Sequence, residues 1–222
     1  MTALLPLGSL ACGPRRPALV PVPEPAATGA ELRARHEPAE PRLTLFRWRY
    51  HGREGSFGGE GALRLDPEGR ARVDLLGSNS ATVEIAILRG DSLFLASQDP
   101  EVRLPPPAFL WAMAGVFRPP PGSPQSARAG EGVTVLEYRR PEAPGVLRFE
   151  FGNGRLRRLE LLHGGGVRQE LALTWPEGPG SMEVPIAAEF RDRREFRRIR
   201  LEVVESRAHA PFDSTLFAPR GG

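Results

Sequence analysis

Four histidines, one cysteine and 27 acidic residues are the side chains from which catalysis or metal binding would be built. His36, His51, His163 and His209 are scattered, and none has a metal spacing such as His-Glu-x-x-His. No serine sits in a Gly-x-Ser-x-Gly elbow. Gly58-Gly59-Glu60-Gly61 is not a phosphate loop, because no Lys-Ser/Thr follows and it leads into a strand pattern rather than a helix. Arg89-Gly90-Asp91 is accounted for by a hairpin turn. The acids mostly alternate with arginine, as on a wet sheet face. These residues predict no enzyme, no metal and no cofactor, and turn attention to binding.

Cys12 is the one residue with a chemistry of its own. Being alone, it makes no internal disulfide and no cysteine cluster. It follows Ala3-Leu4-Leu5-Pro6-Leu7-Gly8-Ser9-Leu10-Ala11, an apolar run ending in small residues. Residues 1–12 therefore look like a secretory signal of the bacterial lipoprotein type, with Cys12 as the lipidation site. The alternative is an ordinary N-terminus with a stray cysteine. Gly13, rather than Asp, after the cysteine leans towards the outer membrane. Residues 13–25 carry five prolines and read as an extended spacer. Residues 26–37 can form one short helix capped by Thr28.

The chain contains no lysine, so all 30 basic residues are arginine, and the sequence pI is about 9.9. The net charge is nonetheless only +3. Arginines interleaved with acids imply a solvated sheet face rather than a nucleic-acid surface. No run of 18 apolar residues is present, so no ordinary transmembrane helix is expected.

The rest of the chain is read as strands. In 43–51, Phe46, Trp48 and Tyr50 share one face. In the central meander of 61–98, Leu63 and Leu65, then Ala71, Val73 and Leu75, then Ala81, Val83, Ile85 and Ile87 mark the buried face. Asp66-Pro67-Glu68-Gly69, Leu76-Gly77-Ser78-Asn79 and Arg89-Gly90-Asp91 are tight turns, so these neighbours are antiparallel. After a proline-rich break, 108–117 reads as a helix, apolar on most sides through Phe109, Leu110, Trp111, Met113 and Val116. Residues 122–130 read as a polar loop. Strands resume at 133–139, 147–151 and 156–162, the last two joined by Gly152-Asn153-Gly154. Further strands follow at 167–175, 187–192 and 195–205. The expected fold is mainly β: a curved antiparallel half-barrel of roughly ten or eleven strands, with the mid-chain helix on its concave face.

Three stretches resemble the LolA/LolB lipoprotein-carrier superfamily, most of all its LolB-like outer-membrane lipoproteins. They are 72–78 with 82–85, then 109–116, and then the closing segment 185–203. The resemblance covers about residues 43–217, within a domain bounded at 26–219. It implies an apolar cavity for acyl chains or lipoproteins, lined by Phe109, Trp111, Met113, Val116, Val73, Val83 and Ile85. It implies a membrane-anchored lipoprotein on the periplasmic face of the outer membrane, delivering or inserting its cargo there, with a periplasmic carrier protein as a further partner. It also assigns Leu76 and Gly77 to a projecting membrane-insertion turn. Apart from the resemblance, Leu76 at a turn either folds back on the sheet or projects. The inward apolar side chains likewise either pack together or leave a lipid-sized pocket. A sensory or scaffold lipoprotein on the same fold is the alternative function.

Overall fold

The computed structural model describes residues 18–53, 55–78, 81–96, 102–141, 143–178 and 184–219. Cys12 and the apolar run before it lie outside them, as does Asn79. The strands are β1 (Val20–Pro21), β2 (Arg42–Gly52), β3 (Gly55–Asp66), β4 (Arg70–Gly77), β5 (Thr82–Arg89), β6 (Ser92–Leu95), β7 (Ser126–Gly130), β8 (Val133–Arg139), β9 (Val146–Gly152), β10 (Arg155–His163), β11 (Gly166–Thr174), β12 (Ala187–Asp192) and β13 (Arg197–Ala208). The helices are α1 (Pro25–Arg35) and α2 (Pro107–Met113), and a 3-10 turn, Ser214–Phe217, lies in the tail.

All thirteen strands join one open antiparallel sheet in the order β1-β7-β8-β9-β10-β11-β12-β13-β2-β3-β4-β5-β6. Two strands exceed the number expected. β1 falls in the proline-rich spacer, where Val20 and Pro21 pair with Ala129 and Arg128. A proline is tolerated there because the strand is at the sheet's edge. β7 falls in the segment read as a polar loop, whose small residues give little hydrophobic signal. β3 also starts earlier than its apolar pattern, and its glycines explain why. A methyl group at Gly61 would run into the Phe46 ring, and one at Gly59 into the Leu76 carbonyl. α1 starts at Pro25 rather than Ala26, with Glu24 at its N-cap position. Thr28 is not the cap: its hydroxyl donates back to the Glu24 carbonyl at 3.2 Å.

Register assigns the faces. Tyr50, Trp48 and Phe46 oppose Ile199, Leu201 and Val203, all inward. On β5 the expected phase is reversed. Ala71, Val73 and Leu75 oppose Leu88, Ala86 and Glu84, so Ile85 and Ile87 fall with Asp74 and Arg72 on the outer face. Val83 is the extra residue of a bulge between the Leu75–Glu84 and Leu76–Thr82 pairs. Ile87 is buried even so. The tail crosses this outer face: Arg72 donates to the Leu216 carbonyl at 3.2 Å and Arg89 to that of Phe217 at 3.0 Å. Elsewhere the outer face carries arginine–glutamate pairs, such as Arg148–Glu137 at 2.9 Å and Arg198–Glu189 at 2.6 Å.

The concave side has two unlike halves. Over β8–β10 an aromatic cluster interlocks edge to face: Phe117 lies 4.9 Å from Phe149 and 5.0 Å from Phe151. His36, at the end of α1, joins it at 5.3 Å from Phe151. Its Nδ1 lies 2.8 Å from the Leu32 carbonyl, and its Nε2 accepts from the Leu156 N–H at 3.3 Å. An accepting Nε2 requires the neutral ring, with the proton on Nδ1. Over β2–β4 and β12–β13 the filling mixes the aromatic side chains of Phe46, Trp48, Tyr50 and Phe190 with aliphatic ones, and is completed by α2.

Burial lowers the His36 pKa from its ordinary value, against the raising effect of the Leu32 carbonyl, and nearby Arg35 lowers it further. A depressed folded pKa means that the His36 contribution is fully present above the unfolded value of about 6.5 and is lost as pH falls towards the folded one. Thermal melts between about pH 7.5 and 5 should therefore show a fall in stability beginning near pH 6.5. In His36→Gln, that part of the fall should disappear, and an unchanged profile would show that His36 does not carry it.

Candidate apolar binding cleft

α2 is short because Pro107 sets its first turn and Gly115, at φ 81°, ends it. Phe109, Leu110, Trp111, Ala112 and Met113 are all buried. The helix bridges distant parts of the sheet. Phe109 meets Phe190 of β12 edge on at 5.2 Å. Trp111 Nε1 donates to the Gly90 carbonyl in the β5–β6 turn at 2.7 Å, and Arg118 lies over its ring at 4.6 Å. Anchored at both ends, the helix roofs the β2–β4 and β12–β13 half of the sheet.

Beneath this roof is a cavity of about 50 Å³. Its floor is Phe46, Trp48, Leu63, Val73 and Leu75, its second wall Ala188, Ile199, Leu201 and Val203. Its roof is Leu110, Met113 and Ala114 of α2 together with the preceding strap, Val102, Leu104 and Pro105. Thr44 is the one hydroxyl-bearing residue in the lining, and it bonds to Ser206 at 2.9 Å. The Trp48 indole N–H is likewise engaged, by the carbonyls of Glu60 at 3.0 Å and Leu76 at 3.1 Å. Such a lining offers apolar contact and no group for acid–base or nucleophilic chemistry. At ~10–15 Å³ per water-sized group, the space holds about four such groups, far short of an acyl chain.

Arg197 holds the strap. Its guanidinium donates to the carbonyls of Arg103 at 2.9 Å and Leu104 at 3.4 Å, and lies over the Phe190 ring at 5.6 Å. It also pairs with Asp192 at 3.3 Å. Burial pushes the Asp192 carboxyl up, but bonds from the Gln169 amide, the Glu195 and Arg194 N–H groups and the Arg197 charge outweigh it and hold the pKa below its ordinary value. The Asp192 carboxyl is thus held in its charged form beside Arg197.

Of the residues expected to line the cavity, Val73 and Met113 do so. Phe109 and Trp111 anchor the roof from behind. Val116 is buried beyond the helix end, and Val83 packs against the core from the bulge. Ile85 cannot line the cavity, because it lies on the outer face opposite Asp74. Leu76 is not at a turn tip. It lies within β4, half-buried, opposite Glu60 and Thr82, with its carbonyl clamped by Trp48. Gly77 ends the strand, and its N–H donates to the Ala81 carbonyl at 2.9 Å. The strap was not foreseen as part of the site, although Val102 and Leu104 alternating around Arg103 before Pro105 carried a signal for it.

Among the described residues no group of histidine, cysteine or acidic side chains is arranged to hold a metal, and no helix is long and apolar enough to cross a membrane. No protein-family model matches the chain, and no curated protein sequence does. Solved structures do match its shape. A LolA superfamily protein from Nitrosomonas europaea superposes with a TM-score of 0.58 at 10% identity, covering 87% of this chain and 97% of that one. A putative outer membrane lipoprotein-sorting protein domain from Vibrio parahaemolyticus superposes at 0.50 and 11% identity, covering 87% and 96%. An open antiparallel sheet closed over a short apolar helix, matched across nearly the whole of both structures, gives this chain the LolA/LolB-like fold.

Proposed function

We propose that this protein binds acyl chains, free or attached to lipoproteins, in the cleft under α2, and passes them on at the bacterial outer membrane without covalent chemistry. The observation that carries this reading is the cleft's lining, apolar on the floor, both walls and the roof. Each methylene moved from water into such a lining gains about 0.8 kcal/mol. A cavity of about 50 Å³ is the closed state of that site. Cargo enters when the strap of 102–105 lifts, which requires Arg197 to release the carbonyls of Arg103 and Leu104. The fold shared with the lipoprotein-sorting domain supports this reading of a binding role in the cell envelope, by analogy.

Cys12 is the anchor in this account, acylated and holding the domain of 26–219 to the periplasmic face of the outer membrane through the spacer before it. Lipid acyl chains or lipoproteins, the membrane and a periplasmic carrier protein are its partners. Leu76 and Gly77 retain an insertion role as an outer-face edge rather than a projecting turn. The second reading, a sensory or scaffold lipoprotein of the envelope, is favoured by one feature: the cleft is nearly filled.

Displacement of a fluorescent fatty acid by lysophospholipid tests the cleft. Arg197→Ala removes charge-assisted bonds, and should cost about 1.5–3 kcal/mol of stability and speed probe uptake. Uptake unaffected by the loss of Arg197 would rule out the strap as the gate.

Leu76→Gln should keep stability within about 1 kcal/mol and keep probe binding, while slowing transfer of an acylated peptide to liposomes. Transfer at the wild-type rate would remove Leu76 from the mechanism. For the anchor, metabolic labelling with a fatty acid should mark the wild-type chain and not Cys12→Ser. Labelling that is equal in both, or absent from both, would eliminate it.

A further inference from the structure

The hairpin between β12 and β13 carries an arrangement that neither the fold nor the cleft requires. Phe196, at its tip, is 71% exposed, more than any other large apolar side chain in the described residues. Its φ is +53°, a left-handed conformation that disfavours a bulky side chain and suits glycine or asparagine. The turn does not depend on it. Asp192 Oδ1 accepts from the N–H groups of Arg194 at 3.0 Å and Glu195 at 3.1 Å, which fixes the loop without the phenyl ring.

One arginine lies over the ring and two more share its turn. Arg53, from the neighbouring β2–β3 turn, lies over it at 5.2 Å. Arg193 and Arg194 are exposed beside it. Arg193 reaches Glu170 at 3.3 Å, and Arg194 has no ion pair among the described residues. Behind the tip, on the outer face, Arg191 and Arg198 are bridged by Glu189, and Arg200 pairs with Glu202, so the excess positive charge lies at the tip itself, on Arg53 and Arg194. One end of the sheet thus keeps both a strained, solvent-facing aromatic and arginines beside it.

We propose that this tip is a membrane-docking element: Phe196 enters the headgroup layer of an anionic bilayer while Arg53, Arg193 and Arg194 contact lipid phosphates. An apolar apex with cations beside it matches a surface whose negative layer overlies an apolar one. A single-stranded nucleic acid would call for a basic groove with several stacking aromatics, and here there is one. The docking needs no cargo and stands whether or not the cleft holds a lipid.

The test uses the full-length chain carrying Cys12→Ser, so that no lipid anchor masks the affinity of the tip itself. Free of cargo, it is sedimented with phosphatidylcholine vesicles with and without phosphatidylglycerol. It should bind the anionic vesicles selectively and be released by about 0.5 M salt. Phe196→Gly should weaken binding about tenfold or more, with a thermal midpoint unchanged or raised because the left-handed residue is now glycine. The pair Arg53→Glu with Arg194→Glu should weaken it at least as much. Equal binding to neutral vesicles, or no binding by the wild type, would overturn the proposal. Wild-type affinity in Phe196→Gly would overturn insertion even if the arginine variants lost binding, leaving only a general polyanion patch.

Discussion

A seven-residue helix has to complete the covering of the β2–β4 and β12–β13 half of a thirteen-strand sheet, and the rest of the molecule follows from how it does so. The half over β8–β10 is filled by the interlocking rings of Phe117, Phe149 and Phe151 and by α1, through its buried Leu32 and the His36 at its end. Over the other half Phe46, Trp48 and Phe190 stand beside smaller aliphatic side chains, and α2 with the strap before it closes the gap. That the helix is fixed through Phe109 on β12 and Trp111 on the β5–β6 turn makes it a tie across the open sheet as well as a roof. The strap is held differently. It has no strand partner in the sheet, and Arg197, itself held by Asp192, grips its backbone carbonyls. A hydrophobic roof and a polar latch therefore meet over the same small cavity. Apolar packing excludes water at no geometric precision, whereas a charge-assisted bond has one geometry and can be released as a unit.

The lining suits the proposed acyl-chain site. The polar groups that touch the lining, the Thr44 hydroxyl and the Trp48 indole, are already satisfied. Nothing in the lining rewards a polar ligand, and everything in it rewards methylenes.

Much of the sheet was legible in the sequence, since period-two alternation in β2 and β4 and the Gly152-Asn153-Gly154 turn have few other readings. The fold class followed from these strands. The strands that escaped lack that signal: β1 is two residues long and contains a proline, and β7 offers Ala127 and Ala129 where larger residues would announce a strand. The inversion of β5 has a different cause. Ile85-Ala86-Ile87-Leu88 is apolar on both faces, so alternation cannot choose its phase. Ile87 is nonetheless buried, on the face that the tail reaches through the Leu216 and Phe217 carbonyls. The site was half legible. Val73 and Met113 could be placed, but the strap is a proline-interrupted segment whose contribution comes from its position over β13. Phe196 likewise gave no signal, because its significance rests on exposure and a positive φ.

The central claim, that the cleft under α2 holds an acyl chain, is tested most directly by native mass spectrometry of the protein purified without detergent from an envelope-expressing bacterium. The account predicts a population carrying one acyl-chain adduct, which collision releases as a lipid or acylated fragment, and which Ala188→Phe depletes by filling the cavity. A wild-type protein that flies only as the bare chain, and takes up no lysophospholipid when it is added, would contradict it.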